Sequence, residues 1–362
     1  MAVPQLNNRL ASLDILRGFD LFMLLFLQPV LVSVSRVWSA PWFDALMRQL
    51  DHEVWEGFRC WDLVMPLFLF MVGAAMPFSL ARYRRDGSGS RLPVYRRIVR
   101  RFLLLFLFGM IVQGNLLGFN PDAFYVYNNT LQAIAVGYLI AAVILLNCGL
   151  RGRIIATVGL MLVYSWFMWL LGDYSPQGSF AFAVDRMILG DLRGDLTYTW
   201  IWSSLNFGAT VMLGALAGEL MKNEHGWPRQ RVAVILALAA VFLVAAGLLA
   251  SCVEPIIKRI WTSSMTLYSG GLCAALMALT YWWVDVRGHH RGLDWLKIYG
   301  MNPITAYVLG EVVNFRSIVA SVSYGLAPIL GEWYAVWLTF GNFLILFLIL
   351  RVMYKNNIFL KL

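Results

Sequence analysis

Apolar residues dominate long stretches of this chain, and polar residues collect in short breaks between them. The apolar runs lie near 18–36, 62–81, 102–118, 130–148, 154–171, 205–221, 232–251, 264–284, 298–313 and 333–350. About 20 apolar residues in a helix cross the hydrocarbon core of a bilayer. The pattern therefore predicts an all-α, polytopic membrane bundle of about ten transmembrane helices, forming one domain over residues 1–362. No internal repeat is visible.

The polar breaks are unequal. If the N-terminus faces the cytoplasm, 21 of the 29 lysines and arginines fall in inside segments. That asymmetry predicts both termini on the cytoplasmic side. The basic stretch 81–101, which carries Arg82, Arg84 and Arg85, then also lies inside. It reads either as a topology anchor touching anionic lipid or as a landing surface for a polyanionic ligand such as a nucleotide or coenzyme A.

Composition agrees with the pattern. The chain is 60% hydrophobic and 14% charged, well below the quarter charged of soluble domains. Its net charge of +9 follows from the inside lysines and arginines and gives no sign of a nucleic-acid partner. The partner implied by composition is membrane lipid. Four scattered cysteines have neither disulfide-framework nor metal spacing, so no metal is expected. The polar first turns lack a cleavage-site pattern, which predicts that the first apolar run is an anchor rather than a removed leader.

Ionisable and amide side chains recur close to membrane depth, among them Asp14, Asp20, Gln28, Asp62, Asn129, Gln132, Asn302 and Glu311. Such groups are costly in a bilayer and usually face an interior cavity. Of the four histidines, His52 alone falls outside, ten residues before Asp62 at the mouth of the second run. It suits general-base chemistry near neutrality, or it is an interfacial histidine satisfied by a carboxylate. Asp62 suits orienting that imidazole or capping the helix that follows. The outer loop 172–204 is long and aromatic, fitting either a lid over a glycan or interfacial anchoring.

Five blocks carry a resemblance: RLASLDILRGFD, HEVWEGFRCWDLVMP, NTLQAIAVGYL, EPIIKRIWTSSM and YGMNPITAYVLGE. In this order, from residue 9 to about 311, they resemble the heparan-α-glucosaminide N-acetyltransferase family, which has lysosomal and bacterial members. The resemblance implies a transmembrane, acyl-CoA-dependent N-acetyltransferase. It would take acetyl from cytoplasmic acetyl-CoA and pass it to an amino sugar or glycan on the other face. It further implies a homodimer in a bacterial cytoplasmic (inner) membrane, with His52 on the periplasmic side.

Residue by residue, the resemblance gives the essential histidine to His52, beside Trp55, Gly57, Asp62 and Pro66. Lys258 and Trp261 match the P-x-x-K-x-x-W block, Asn302 the GMN block, and Asp14 and Arg17 the opening motif. Gln28 stands at the place of a family asparagine, and Ala133 replaces the arginine of an LQR motif. The expected catalytic group is His52, Gln28 and Asp62. Coenzyme A contacts are expected from Arg17, Arg82, Arg84, Arg85 and Asn302, and acceptor contacts from Trp55, Glu56, Lys258, Trp261, Asn129 and Gln132. Direct transfer and a histidine-acetyl relay remain open. An amino-sugar or N-acetyl-sugar transporter is the competing reading of the same polar interior.

Overall fold

The computed structural model describes residues 10–85, 91–114, 116–120, 122, 124–194 and 197–360. Long apolar runs have one way to satisfy their backbone in lipid, the helix, and helices are what they form. The first run becomes α1 (Ala11–Phe22), a five-residue π-helical stretch at Met23–Leu27 and α2 (Gln28–Ser35). A short amphipathic α3 (Pro41–Gln49) leads to α4 (Val64–Arg85) and α5 (Leu92–Val112). Then come α6 (Thr130–Asn147), α7 (Leu150–Leu171), α8 (Phe180–Leu189), α9 (Ser204–Lys222), α10 (Arg229–Ala250) and α11 (Ser263–Tyr281). The chain closes with α12 (Leu296–Met301), α13 (Pro303–Val312), α14 (Arg316–Ser323), α15 (Ala327–Leu330) and α16 (Tyr334–Lys355). Among the described residues the one extended pairing is a single bridge between Glu56 and Ile257.

Eight helical stretches among the described residues are long and apolar enough to cross a membrane. The protein is thus a multi-pass, all-α bundle. Two of the ten expected runs differ in form. The run at 102–118 is the apolar half of α5, which begins ten residues earlier because its four arginines, Arg96, Arg97, Arg100 and Arg101, are good helix formers with no breaker among them. The run at 298–313 is broken. Pro303 lacks an N–H and restricts the residue before it, so the chain leaves helical geometry at Asn302 (φ −125°, ψ 54°) and restarts as α13.

The centre of the bundle is the pairing of α4 with α9, flanked by α6 and α11. Lipid tails give no hydrophobic drive between helices, so close backbone approach does the work. Gly214 of α9 lies directly against the Phe70 carbonyl of α4, where an added Cβ would overlap it. On the outer surface a groove of about 620 Å³ runs between α10 and α11, lined by alanine, valine and leucine with Trp282. It holds no polar chemistry. The polar cavities lie elsewhere, around α1, α4, α6 and α13.

Candidate active site

Between α3 and α4 the chain runs irregularly through residues 50–59, then turns once as a 3-10 helix at Cys60–Leu63. That turn buries Asp62 completely. Asp62 Oδ2 accepts the backbone N–H groups of Glu53 (3.2 Å) and Arg59 (3.0 Å). Its Oδ1 lies 2.8 Å from His52 Nδ1. One carboxylate thus performs both tasks that its position allowed: it caps the incoming helix and grips the imidazole. A carboxylate only accepts, so this contact is a hydrogen bond in the tautomer that carries the proton on Nδ1 and leaves the lone pair of the neutral ring on Nε2.

Lys258 reaches the same point from the loop between α10 and α11. Its Nζ is 2.9 Å from His52 Nδ1, 3.4 Å from Nε2 and 3.4 Å from Asp62 Oδ1. Two backbone contacts hold this loop to the histidine loop, the Glu56–Ile257 bridge and the Gly57 N–H donated to the Ile256 carbonyl at 2.9 Å. Gly57 has φ +124°, a conformation open to glycine and strained for other residues. Burial pushes the Lys258 ammonium down to about 8, opposed by the Asp62 carboxylate beside it.

His52 and Lys258 line a chamber of about 360 Å³, together with Trp61, Met65, Asn128, Asn129, Thr130, Trp200, Tyr307 and Glu311. A second chamber of about 190 Å³ adjoins it, and Phe68, Thr130 and Tyr307 line both. This inner chamber is apolar apart from two arginines, Arg17 and Arg101, and the hydroxyls of Thr130 and Tyr307. Arg17 also bonds Asp14 and the Gly300 carbonyl. Arg101 lies over the Tyr138 ring, 4.4 Å from its centre, with its Nε buried and unpartnered among the described residues. A titratable triad lines one chamber and a pair of guanidinium groups lines the other, and the two chambers share three wall residues.

A family profile described as heparan-alpha-glucosaminide N-acetyltransferase, catalytic, matches residues 9–233. The chain belongs to this family. The mouse and human heparan-alpha-glucosaminide N-acetyltransferases are each 22% identical to it over 85% of its length. The chain covers 54% and 53% of those two proteins, so it spans about half the length of the curated relatives it matches.

Of the residues that the family motifs single out, His52, Asp62 and Lys258 come together, although Lys258 lies beyond the stretch that the profile matches. Asn129 joins the chamber wall and also caps α6, accepting the Leu131 N–H at 2.7 Å. The others stand back. Gln132 spends both ends of its amide holding the wall, on the Val126 carbonyl (2.6 Å) and the Asn128 N–H (2.8 Å). Trp55 donates to the Tyr174 carbonyl at 2.9 Å and so ties the outer loop to the histidine loop. Glu56 is exposed. Trp261 is core, with its indole N–H on Thr210. Asn302 is far from this chemistry in kind: its amide donates to the Ile358 carbonyl (2.9 Å) and accepts the Leu360 N–H (3.1 Å), fastening the C-terminal segment. Gln28 lines a neighbouring cavity instead of the histidine chamber. Arg82, Arg84 and Arg85 have side chains outside the described residues.

Some site residues escaped the family motifs. Arg101 is one of eight arginines in the inside stretch, with nothing local to mark it. Asp185 is another. Its buried carboxylate accepts the N–H groups of Trp200 (2.7 Å) and Ile201 (2.9 Å), which sets Trp200 in the chamber wall, and burial pushes it up to about 6. Asp185 and Trp200 are fifteen residues apart with no helical register between them.

Proposed function

We propose that this chain is an integral-membrane acyltransferase that moves an acetyl group from acetyl-CoA to the amine of an amino sugar or glycan, with His52 as general base. The observation that carries the reading is the adjacency of the two chambers, which share Phe68, Thr130 and Tyr307 as walls. The inner one offers Arg17 and Arg101 to phosphates, a task that suits guanidinium forks. The outer one offers His52 and Lys258 to a reacting carbonyl. The lysine and arginine asymmetry supports an orientation with the arginine end in the cytoplasm and His52 on the opposite face, which in a bacterial inner membrane is the periplasmic side. The donor then enters from inside and the acceptor from outside, and neither crosses completely.

Bound acetyl-CoA supplies an activated acyl carbon as a thioester. The chain's residues do the rest. Asp62 fixes the tautomer and direction of His52, leaving Nε2 toward the chamber. His52 Nε2 takes a proton from the attacking amine as the N–C bond forms, and returns it to the departing sulfur as the C–S bond breaks. Lys258 Nζ holds positive charge beside the carbonyl oxygen on which negative charge develops. This assigns the electrophilic role to Lys258 and not to Gln28 or Asn302, whose side chains face a different cavity and the C-terminal segment. Direct transfer requires only one proton acceptor, and His52 supplies it.

The first test is thermal stability of the detergent-purified protein against CoA and acetyl-CoA. A ligand that binds only the folded state raises the melting temperature in proportion to the logarithm of its concentration above Kd. A rise that grows with the logarithm of concentration is expected with both. No rise with either, beside a rise with an amino sugar alone, would leave transport as the better account.

Lys258 makes the rate depend on pH. Its folded value near 8 means that the ammonium is lost as pH rises through that value, and the electrophilic charge goes with it. Turnover is expected to fall above about pH 8. Lys258→Arg keeps its charge and should carry that limb upward, out of the measured range. An unchanged limb in Lys258→Arg would remove Lys258 from this role.

A further inference from the structure

A third cavity, of about 430 Å³, lies on the far side of Glu311 from the histidine chamber, and Glu311 lines both. It is built where the ends of α2 and α13 meet the start of α16, at the same end of the bundle as His52. Two arginines, Arg36 and Arg316, line it, along with Gln28, Thr339 and Asn342. Thr339 and Asn342 are buried, and Thr339 bonds Ser33 across the helix pair, so the wall is built and not a loose surface. Arg316 donates to Thr339 Oγ1 at 3.0 Å. Among the described residues, neither Arg36, Arg316 nor Glu311 has an ion-pair partner, although all three face the same space. Elsewhere charges near the site are paired: Lys258 with Asp62, Arg59 with Glu53, and Arg153 with Glu219.

Arg36 and Glu311 are exposed and Arg316 is half-buried, so all three charges are within reach of a ligand that enters this cavity. Two cations and one anion on the walls of one cavity complement a ligand of the opposite pattern. We infer that this cavity is the acceptor's anchoring subsite, and that the acceptor carries an anionic group on the same molecule as its amine. Arg36 and Arg316 take the anion. Glu311, shared with the histidine chamber, holds the ammonium beside His52, and the ammonium gives one proton to solvent before the neutral amine attacks. The polarity is fixed, because an anion placed at Glu311 would be repelled. The inference rests on the amine-acetylation reading and narrows its substrate class. The amine and anion belong to a soluble amino sugar phosphate or acid, or to an aminophosphate lipid headgroup, since the apolar flank of Pro29, Val32 and Phe343 accepts either.

The test is binding to the full chain, read as the ligand concentration that raises the melting temperature. The soluble probes are glucosamine, glucosamine 6-phosphate and N-acetylglucosamine 6-phosphate. The lipid arm compares nanodiscs of phosphatidylethanolamine with nanodiscs of phosphatidylcholine. Glucosamine 6-phosphate is expected to bind about tenfold tighter than glucosamine. That preference should vanish in R36Q/R316Q. E311Q should weaken both amines and leave N-acetylglucosamine 6-phosphate unchanged. Stabilisation by phosphatidylethanolamine that R36Q/R316Q abolishes would assign the same subsite to a lipid acceptor. Equal binding of the two glucosamines with no lipid effect would overturn the inference, as would a preference surviving in R36Q/R316Q. Each variant is also titrated with CoA. An intact CoA response with no anion preference sinks this inference alone, whereas loss of any CoA response in the unmodified protein sinks the acetylation reading beneath it.

Discussion

Replacing His52 with alanine is expected to lower acetyl transfer by about 10²–10⁴-fold, the contribution of a positioned general base. Binding should survive, because His52 touches neither Arg17 nor Arg101 and the inner chamber does not include it. The measurement is single-turnover transfer by the purified protein, alongside its CoA-dependent melting temperature. Asp62→Asn makes a useful companion. The amide can still accept one backbone N–H, yet it no longer offers a carboxylate to Nδ1, so the imidazole loses its fixed tautomer while the cap is partly kept. A loss in rate close to that of His52→Ala, with modest change in stability, would show that the carboxylate acts through the ring. If His52→Ala turns over at the unmodified rate, the base lies elsewhere and the proposed mechanism fails.

The largest effect on stability is expected at the α4–α9 crossing. Gly214→Val puts a branched side chain where the Phe70 carbonyl already stands, and the obstacle is backbone, which cannot rotate away. Gly73, on α4, meets the Val211 carbonyl of α9 in the same manner, so the two helices lock at both points. The helices must separate, and the cost is on the order of 3 kcal/mol, the upper part of the usual overpacking range. Melting of the detergent-purified variant should fall markedly, and expression should drop. Gly159→Val is the control, since Gly159 on α7 has open space around the position of a Cβ. Equal melting of the two variants would mean that the crossing tolerates separation and that its close approach contributes little.

The histidine site was legible in part. The spacing from His52 to Asp62 put an imidazole and a carboxylate at one helix entrance, and the structure joins them at 2.8 Å. The family motifs marked Lys258 as well. The motifs did not distinguish residues that face the chamber from residues that hold it up. Trp261 and Gln132 stand in the same motif blocks as Lys258 and Asn129, and Asn302 in a block of its own, yet their polar groups are consumed by Thr210, the 126–128 backbone and the C-terminal segment. A motif records that a side chain matters and is silent on whether it meets a ligand or its own backbone.

Sequence alone determined that this chain is a helical membrane bundle. Backbone groups in hydrocarbon must be satisfied within the segment, so runs of apolar residues of sufficient length have a single outcome. It also determined the family, through five short motifs, each of which is contiguous in the chain. Tertiary structure decided the rest. The meeting of Lys258 with His52 spans 206 residues, and the two chambers join at Phe68, Thr130 and Tyr307, which come from three different helices or their ends. Glu311 lining two cavities at once is likewise a property of packing. Such convergences depend on helix crossing and rotation, which side-chain fit across the bundle fixes and linear spacing does not record.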